Sequence, residues 1–170
     1  MRRAMPDRES LPAGWRGEAS PEVLEAKDAV KECMSMASTC KSAGLVAMGS
    51  DSYDEGTVNR PEGDPEQRAN VVVLSFGSAE GAKAVMRNLV NVGRRGGSPQ
   101  PTKIEAGAQD SEAFSTSDSG VYSTQVTMRV DKVVISVWGA DLKQPSDIQP
   151  IAETLVDRVK RASEGKSFTG

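Results

Sequence analysis

Apolar residues recur at helical spacing in three stretches of this chain and alternate with polar ones in a fourth, so the pattern alone separates helices from strands. In "SPEVLEAKDAVKECMSMA" (20–37), Val23, Ala26, Val30, Cys33 and Ala37 share one face. Ser20 stands as N-cap, Pro21 at the first helical position and Glu22 in the first turn, which predicts an amphipathic helix starting at Ser20. In "AEGAKAVMRNLVNV" (79–92), Ala82, Val85, Met86, Leu89 and Val92 repeat at the same spacing, with Ser78 as cap and Gly93 as stop. The third helix is predicted in "PSDIQPIAETLVDRVKRASEG" (145–165): Ile148, Ile151, Ala152, Leu155, Val156 and Val159 form its stripe, and Ser146 with Gln149 its capping box. Pro150 is acceptable there because it falls in the first turn, and Lys160 and Arg161 lie where the helix dipole favours cations.

Strand signals fill the intervals. "NVVVLSF" (70–76) is a continuous β-branched run broken by Gly77. "AGLVAMGSDSYDEGTVNR" (43–60) suggests two short strands with a turn or bend at Ser50–Asp51, and short strands are expected at Lys103–Ala106 and Glu112–Ser115. The clearest local pattern is "VYSTQVTMRVDKVVISVWGAD" (121–141). With Asp131–Lys132 as a two-residue turn, Val130 faces Val133, Met128 faces Ile135 and Val126 faces Val137, all on one side. The other side pairs Arg129 with Val134, Thr127 with Ser136 and Gln125 with Trp138, as in an antiparallel sheet with a wet or partly covered face.

This order of elements predicts an α+β fold: an antiparallel sheet with helices packed on one face and N- and C-terminal helices flanking it. Residues 1–19 show no periodicity and read as a flexible lead, 20–164 as one domain and 165–170 as a flexible tail. A chain of 170 residues can bury a substantial core in one domain.

Composition narrows the function. With 37% hydrophobic and 26% charged residues the chain reads as a folded globular protein. A net charge of -3 argues against nucleic-acid binding, which needs clustered cations to neutralise phosphates, and "MRRAMPDR" and "GRRGG" are too short for that. No apolar run approaches the ~20 residues of a membrane-spanning helix. The N-terminus also lacks the apolar stretch of a signal peptide, so either the protein is cytoplasmic or its export signal has already been removed.

The absence of histidine removes Ser-His-Asp and Cys-His nucleophilic systems, imidazole metal sites and the commonest general base. "GRRGGSP" follows a helix and lacks the ending of a phosphate loop. Asp51, Asp54 and Glu55 are hard oxygen ligands without EF-hand spacing, which favours a solvated turn over a calcium site. Asp110 and Glu112 could be imagined as a two-carboxylate pair, but a polar turn leading into an edge strand is the simpler reading. No cofactor, metal or enzymatic activity is expected. Tyr53, Tyr122 and Trp138 fall in predicted strands, with Phe114 just before the hairpin, so several could floor a shallow binding groove on one sheet surface. Phe76 and Phe114 read more simply as core, and Trp138, on the less apolar face of the hairpin, is the best single candidate for ligand or partner contact.

Cys33 and Cys40 are the two cysteines. Two thiolates cannot complete a four-ligand structural zinc site, and a redox pair of the thioredoxin type is spaced by two residues. An unbroken helix would hold their Cα atoms roughly 10.5 Å apart, beyond the ~7 Å limit for a disulfide. A bond therefore requires the helix to end near Ser35–Ala37; otherwise the two are unbonded thiols on its buried face.

Taken together, the cysteine-bearing helix followed by "AMGSDSY", then "VVVLSFGSAEGAKAVM", "GAQDSEAF", "YSTQVTMRVDKVVISV" and "IAETLVDRVK" resemble exported cell-envelope lipoproteins of streptomycetes. More remotely, the segments resemble the extracellular sensor domain of mycobacterial membrane serine/threonine kinases, and the likeness spans roughly residues 20–163. The chain departs from these relatives in having no lipid-bearing cysteine and none of the additional cysteines with which the kinase sensor domains form two bridges. The resemblance implies an extracytoplasmic location, membrane association only through a lipid anchor outside this chain, a Cys33–Cys40 disulfide, and a sensing or binding role. The expectation is a non-enzymatic module of the cell envelope that recognises a small envelope molecule or a protein partner through the sheet face. The alternatives are a protein-interaction regulator without a small ligand and an enzyme of unrecognised type.

Overall fold

A computed structural model describes residues 1–6, 10–17, 20–56, 66–95 and 98–164. Its strands are β1 (Trp15–Gly17), β2 (Glu22–Glu25), β3 (Leu45–Glu55), β4 (Arg68–Phe76), β5 (Gln100–Thr102), β6 (Asp110–Asp118), β7 (Val121–Val130) and β8 (Val133–Leu142). The helices are α1 (Ala26–Met36), α2 (Ala79–Gly93) and α3 (Gln149–Ser163), the last preceded by a short 3-10 turn, Pro145–Ile148. All strands join one antiparallel sheet in the order β1-β3-β4-β8-β7-β6-β5, with β2 also pairing β3. The fold is α+β.

The β7–β8 register agrees pair for pair with the alternation: Val130 opposite Val133, Met128 opposite Ile135, Val126 opposite Val137, and Gln125 opposite Trp138. Asp131 takes the left-handed conformation at the turn (φ +50°), which a short polar side chain tolerates. The β6–β7 hairpin turns on Ser119 and Gly120, both at positive φ, as the twist of a two-residue hairpin loop demands. That turn extends β6 to Asp118, beyond the predicted Glu112–Ser115. Ser78 caps α2 as expected, its hydroxyl accepting from the Gly81 N–H at 3.1 Å.

Each strand sends alternate side chains to opposite faces, and both faces are covered. Val71, Val73, Val126, Met128, Ile135 and Val137 pack beneath α3. Leu74, Phe76, Phe114 and Val134 pack beneath α1 and α2. The expectation that the helices share one face is thus corrected. A β-branched run such as Val71–Val73 needs apolar cover on both sides, and α3 supplies the side that α1 and α2 leave open.

Four further readings change. The stretch from Glu22 to Glu25 is strand β2 along β3, so α1 begins at Ala26 and Ser20 does not cap it. Residues 45–55 form one unbroken strand with no turn at Ser50–Asp51, because β4 pairs along its length from Leu45 to Asp54. The predicted strand at Lys103–Ala106 lies three residues earlier, at Gln100–Thr102; Ile104 and Ala106 are buried in the core without joining a ladder. At the start of the last helical segment, the Asp147 carboxylate accepts from the Gln144 N–H at 2.9 Å, so the box lies two residues before the predicted Ser146–Gln149 pair.

The N-terminus also departs from a flexible lead. Arg2–Ala4 form a 3-10 turn, Met5 is 1% exposed within the α3-side core, and Trp15–Gly17 pair with β3. Residues 165–170, read as a tail, and residues 57–60, read as part of a strand, lie outside the described residues. Among the described residues no helix is long and apolar enough to cross a membrane.

Candidate functional site

α1 ends at Met36, and Ala37 turns to an extended conformation with its N–H bonded to the Cys33 carbonyl. The chain doubles back through Ser38–Thr39, the Cys33 and Cys40 Cα atoms come to 6.0 Å, and the sulfurs are bonded. Both cysteines are fully buried against the α1/α2 core, so the bridge ties the end of α1 to the start of β3.

The aromatic residues do not share a surface. Tyr53 is 1% exposed, its ring packed with Val71 and Ala69 on the α3 side, so it is a core residue and cannot floor a groove. Tyr122 is partly buried against the same core. Trp138 belongs to the opposite side with Val134 and is 47% exposed. The period-2 alternation of β3 places Tyr53 on the same face as Gly49 and away from Met48, and this separates it from Trp138.

Beneath Tyr53 sits a small polar cluster. Burial holds the Asp51 carboxyl above its ordinary range, partly relieved by the Ser52 N–H, which it accepts at 2.9 Å, and by the Tyr53 side chain. Burial likewise pushes the Tyr53 phenol far above its ordinary value, reinforced by the neighbouring Asp51 charge and opposed by Arg158. Arg158, itself buried on α3, donates to the Ser10 hydroxyl at 2.5 Å. Asp51 therefore belongs to a structural cluster inside a strand and not to a solvated turn. No group of three or more potential metal ligands occurs among the described residues.

Asp110 and Glu112 of β6 are each engaged by an arginine. Asp110 accepts from Arg129 at 2.6 and 2.7 Å, and Glu112 from Arg94 at 2.7 Å. They line a groove of about 530 Å³ between α2 and β6, whose helix wall carries Lys83, Arg87 and Arg94. Each carboxylate is thus held by its own arginine and the two are not paired with one another.

Among the described residues, a further open surface is centred on Trp138. α1 and α2 cover the part of the sheet that carries Leu74, Phe76 and Val134; among the described residues, the row of Asn70 and Trp138 further along the same face is exposed. In that row Trp138 stands between Asn70 of β4 and Gln125 of β7, and the Asn70 amide oxygen accepts from Ser52 at 2.8 Å. Beside the indole is a concavity of about 140 Å³ lined by Gly93, Pro99, Phe114, Ser115, Thr116, Ser123, Gln125 and Trp138. Gly93, at the end of α2, closes it: a Cβ there would stand 2.6 Å from the Gln125 amide oxygen and from the Phe114 ring. The register had already placed Gln125 beside Trp138, but Gly93, Ser123 and Thr116 arrive from α2, β7 and β6 and gave no joint signal along the chain.

The sequence matches no protein-family model and no curated protein. The structure is similar to the extracellular domain of PknH from Mycobacterium tuberculosis, with a TM-score of 0.56 at 14% identity over 88% of this chain and 86% of that one. The two share a fold. At this identity the likeness speaks for the architecture that the sequence resemblance led us to expect, whereas the streptomycete lipoproteins find no counterpart in these comparisons.

Proposed function

We propose that this chain is a non-enzymatic, extracytoplasmic binding or sensor module of the cell envelope, acting through the open part of its sheet around Trp138. One observation carries the reading: a half-exposed indole beside a concavity walled by residues from α2, β6, β7 and β8. Exposing so large an apolar ring forfeits burial energy, which makes a ligand or partner contact the natural use of the position. The buried Cys33–Cys40 bond and the fold shared with a kinase's extracellular domain support the compartment, since structural disulfides persist where the environment is oxidising.

The chain has two tryptophans, so Trp15→Phe leaves Trp138 as the sole indole reporter. Fractions of an actinobacterial envelope extract added to that protein should include one that shifts the indole emission saturably and raises the unfolding midpoint. Fractions that raise the midpoint without moving Trp138 emission would place recognition elsewhere. A purified protein partner as the active component would favour the interaction-regulator alternative.

A further inference from the structure

We propose that the concavity beside Trp138 is a subsite for one neutral sugar ring of an envelope glycan; this deepens the binding-module reading and rests on it. Three features of the site select that chemistry. The first is charge: none of the eight lining residues among the described ones is ionisable at neutral pH, so an anionic or cationic ligand would give up its hydration without a counter-charge from them. The second is the disposition of polarity. Trp138 offers an apolar π-face with negative quadrupole, while Gln125, Ser123 and Thr116 offer neutral donors and acceptors around it. A pyranose ring has the complementary form, with axial C–H groups on a flat apolar face and hydroxyls around its edge. An acyl chain would satisfy the indole but leave the amide and both hydroxyls desolvated and unpaired.

The third is size. A space of about 140 Å³ holds a single six-membered ring and is well below the ~300–1,000 Å³ of a pocket that engulfs a larger ligand. Further rings of a glycan would extend along the row past Trp138 toward Asn70 and Ser52, where the Ser52–Asn70 hydrogen bond fixes the amide, and would stop short of the Arg68–Asp54 ion pair two residues further along the same face. A protein partner is the less favoured occupant, because such contacts use apolar patches of a few hundred Å² and Trp138 is the one exposed large apolar residue of this row. The frame is also held in place: Gly93 lets α2 press against both Gln125 and Phe114, so the amide is positioned before any ligand arrives.

The test titrates the Trp15→Phe protein with methyl glucoside, methyl mannoside, methyl galactoside and N-acetylglucosamine, following Trp138 emission, with glucuronate and adenosine as comparison ligands. A single ring on an open site should bind in about the millimolar range. We expect saturable binding of at least one neutral pyranoside and weaker or no binding of glucuronate. Loss of one neutral hydrogen bond in Gln125→Ala should weaken binding by about three- to tenfold. In Trp138→Ala, saturation transfer to the sugar protons should vanish while the thermal midpoint of this exposed-site variant stays near wild type.

Saturation transfer that persists in Trp138→Ala, or adenosine binding more tightly than every sugar, would overturn the proposal. If no sugar binds but an envelope fraction still shifts Trp138, the sugar assignment fails and the binding-module reading stands. If neither acts on Trp138, both fail.

Discussion

Reduction of the Cys33–Cys40 bond offers the most direct test of how the α1/α2 side is held. The bond closes a loop of eight residues from Cys33 to Cys40. Constraining such a loop in the unfolded chain removes about 8 cal/mol/K of entropy, hence ~2.5 kcal/mol of stabilisation at 25 °C. With an urea dependence of about 2 kcal/mol/M for a chain of this size, the reduced protein should unfold at a midpoint lower by ~1 M. Because both cysteines are fully buried, native protein should resist alkylation, and reductant should act only as fast as the end of α1 opens. The assay is a pair of urea curves, oxidised and reduced, with intact mass after alkylation confirming each state. A midpoint shift under ~0.3 M would refute the chain-entropy reasoning. Rapid alkylation of the native, unreduced protein would refute the bond itself.

Other expectations follow from single residues. A Cβ at Gly81 would run into the carbonyl oxygen of Ala43, a backbone atom that cannot swing aside, so Gly81→Ala should cost more than ~2 kcal/mol despite alanine's better helix propensity; a neutral or stabilised variant in urea unfolding would contradict it. Leu155 is wholly buried where α3 meets the sheet, and Leu155→Ala should cost about 2–5 kcal/mol, checked by the same curves. Asp51 has a native pKa raised above its unfolded value, so its ionisation opposes folding above the native pKa, and this penalty is relieved as pH falls through that value toward the model-peptide 3.8. Asp51→Asn keeps an oxygen for the Ser52 N–H, so it should be more stable than wild type at pH 7, with the gap narrowing on acidification; a gap independent of pH would contradict the assignment.

What the sequence determined by itself is local. Val126, Met128 and Val130 alternate against Val133, Ile135 and Val137 around a two-residue turn, and because a one-residue slip would turn every one of them to the other face, the pairing could be read directly. The stripe of Ala82, Val85, Met86 and Leu89 behind Ser78 and the stripe of α3 were legible because helical period and capping act within a few residues. The end of α1 could be stated as the condition for a Cys33–Cys40 bond, since helix rise alone forbids the bond otherwise.

Tertiary structure decided the rest, wherever a distant partner outweighed local preference. Glu22–Glu25 carries good helix-start chemistry, yet becomes a strand because the edge of β3 presents unpaired backbone groups to it. Ser50–Asp51 looks like a turn and is held straight by β4. Alternation shows that Tyr53 and Trp138 occupy strands but not which face of the assembled sheet each will meet; the packing of α3 over one face buried the tyrosine, and the limited reach of α1 and α2 over the other left the tryptophan in the open. The candidate site is completed for the same reason: the β6–β7–β8 hairpins bring Thr116, Ser123, Gln125 and Trp138 together locally, but Gly93 joins them only after the β4-to-β5 crossover lays α2 across the sheet.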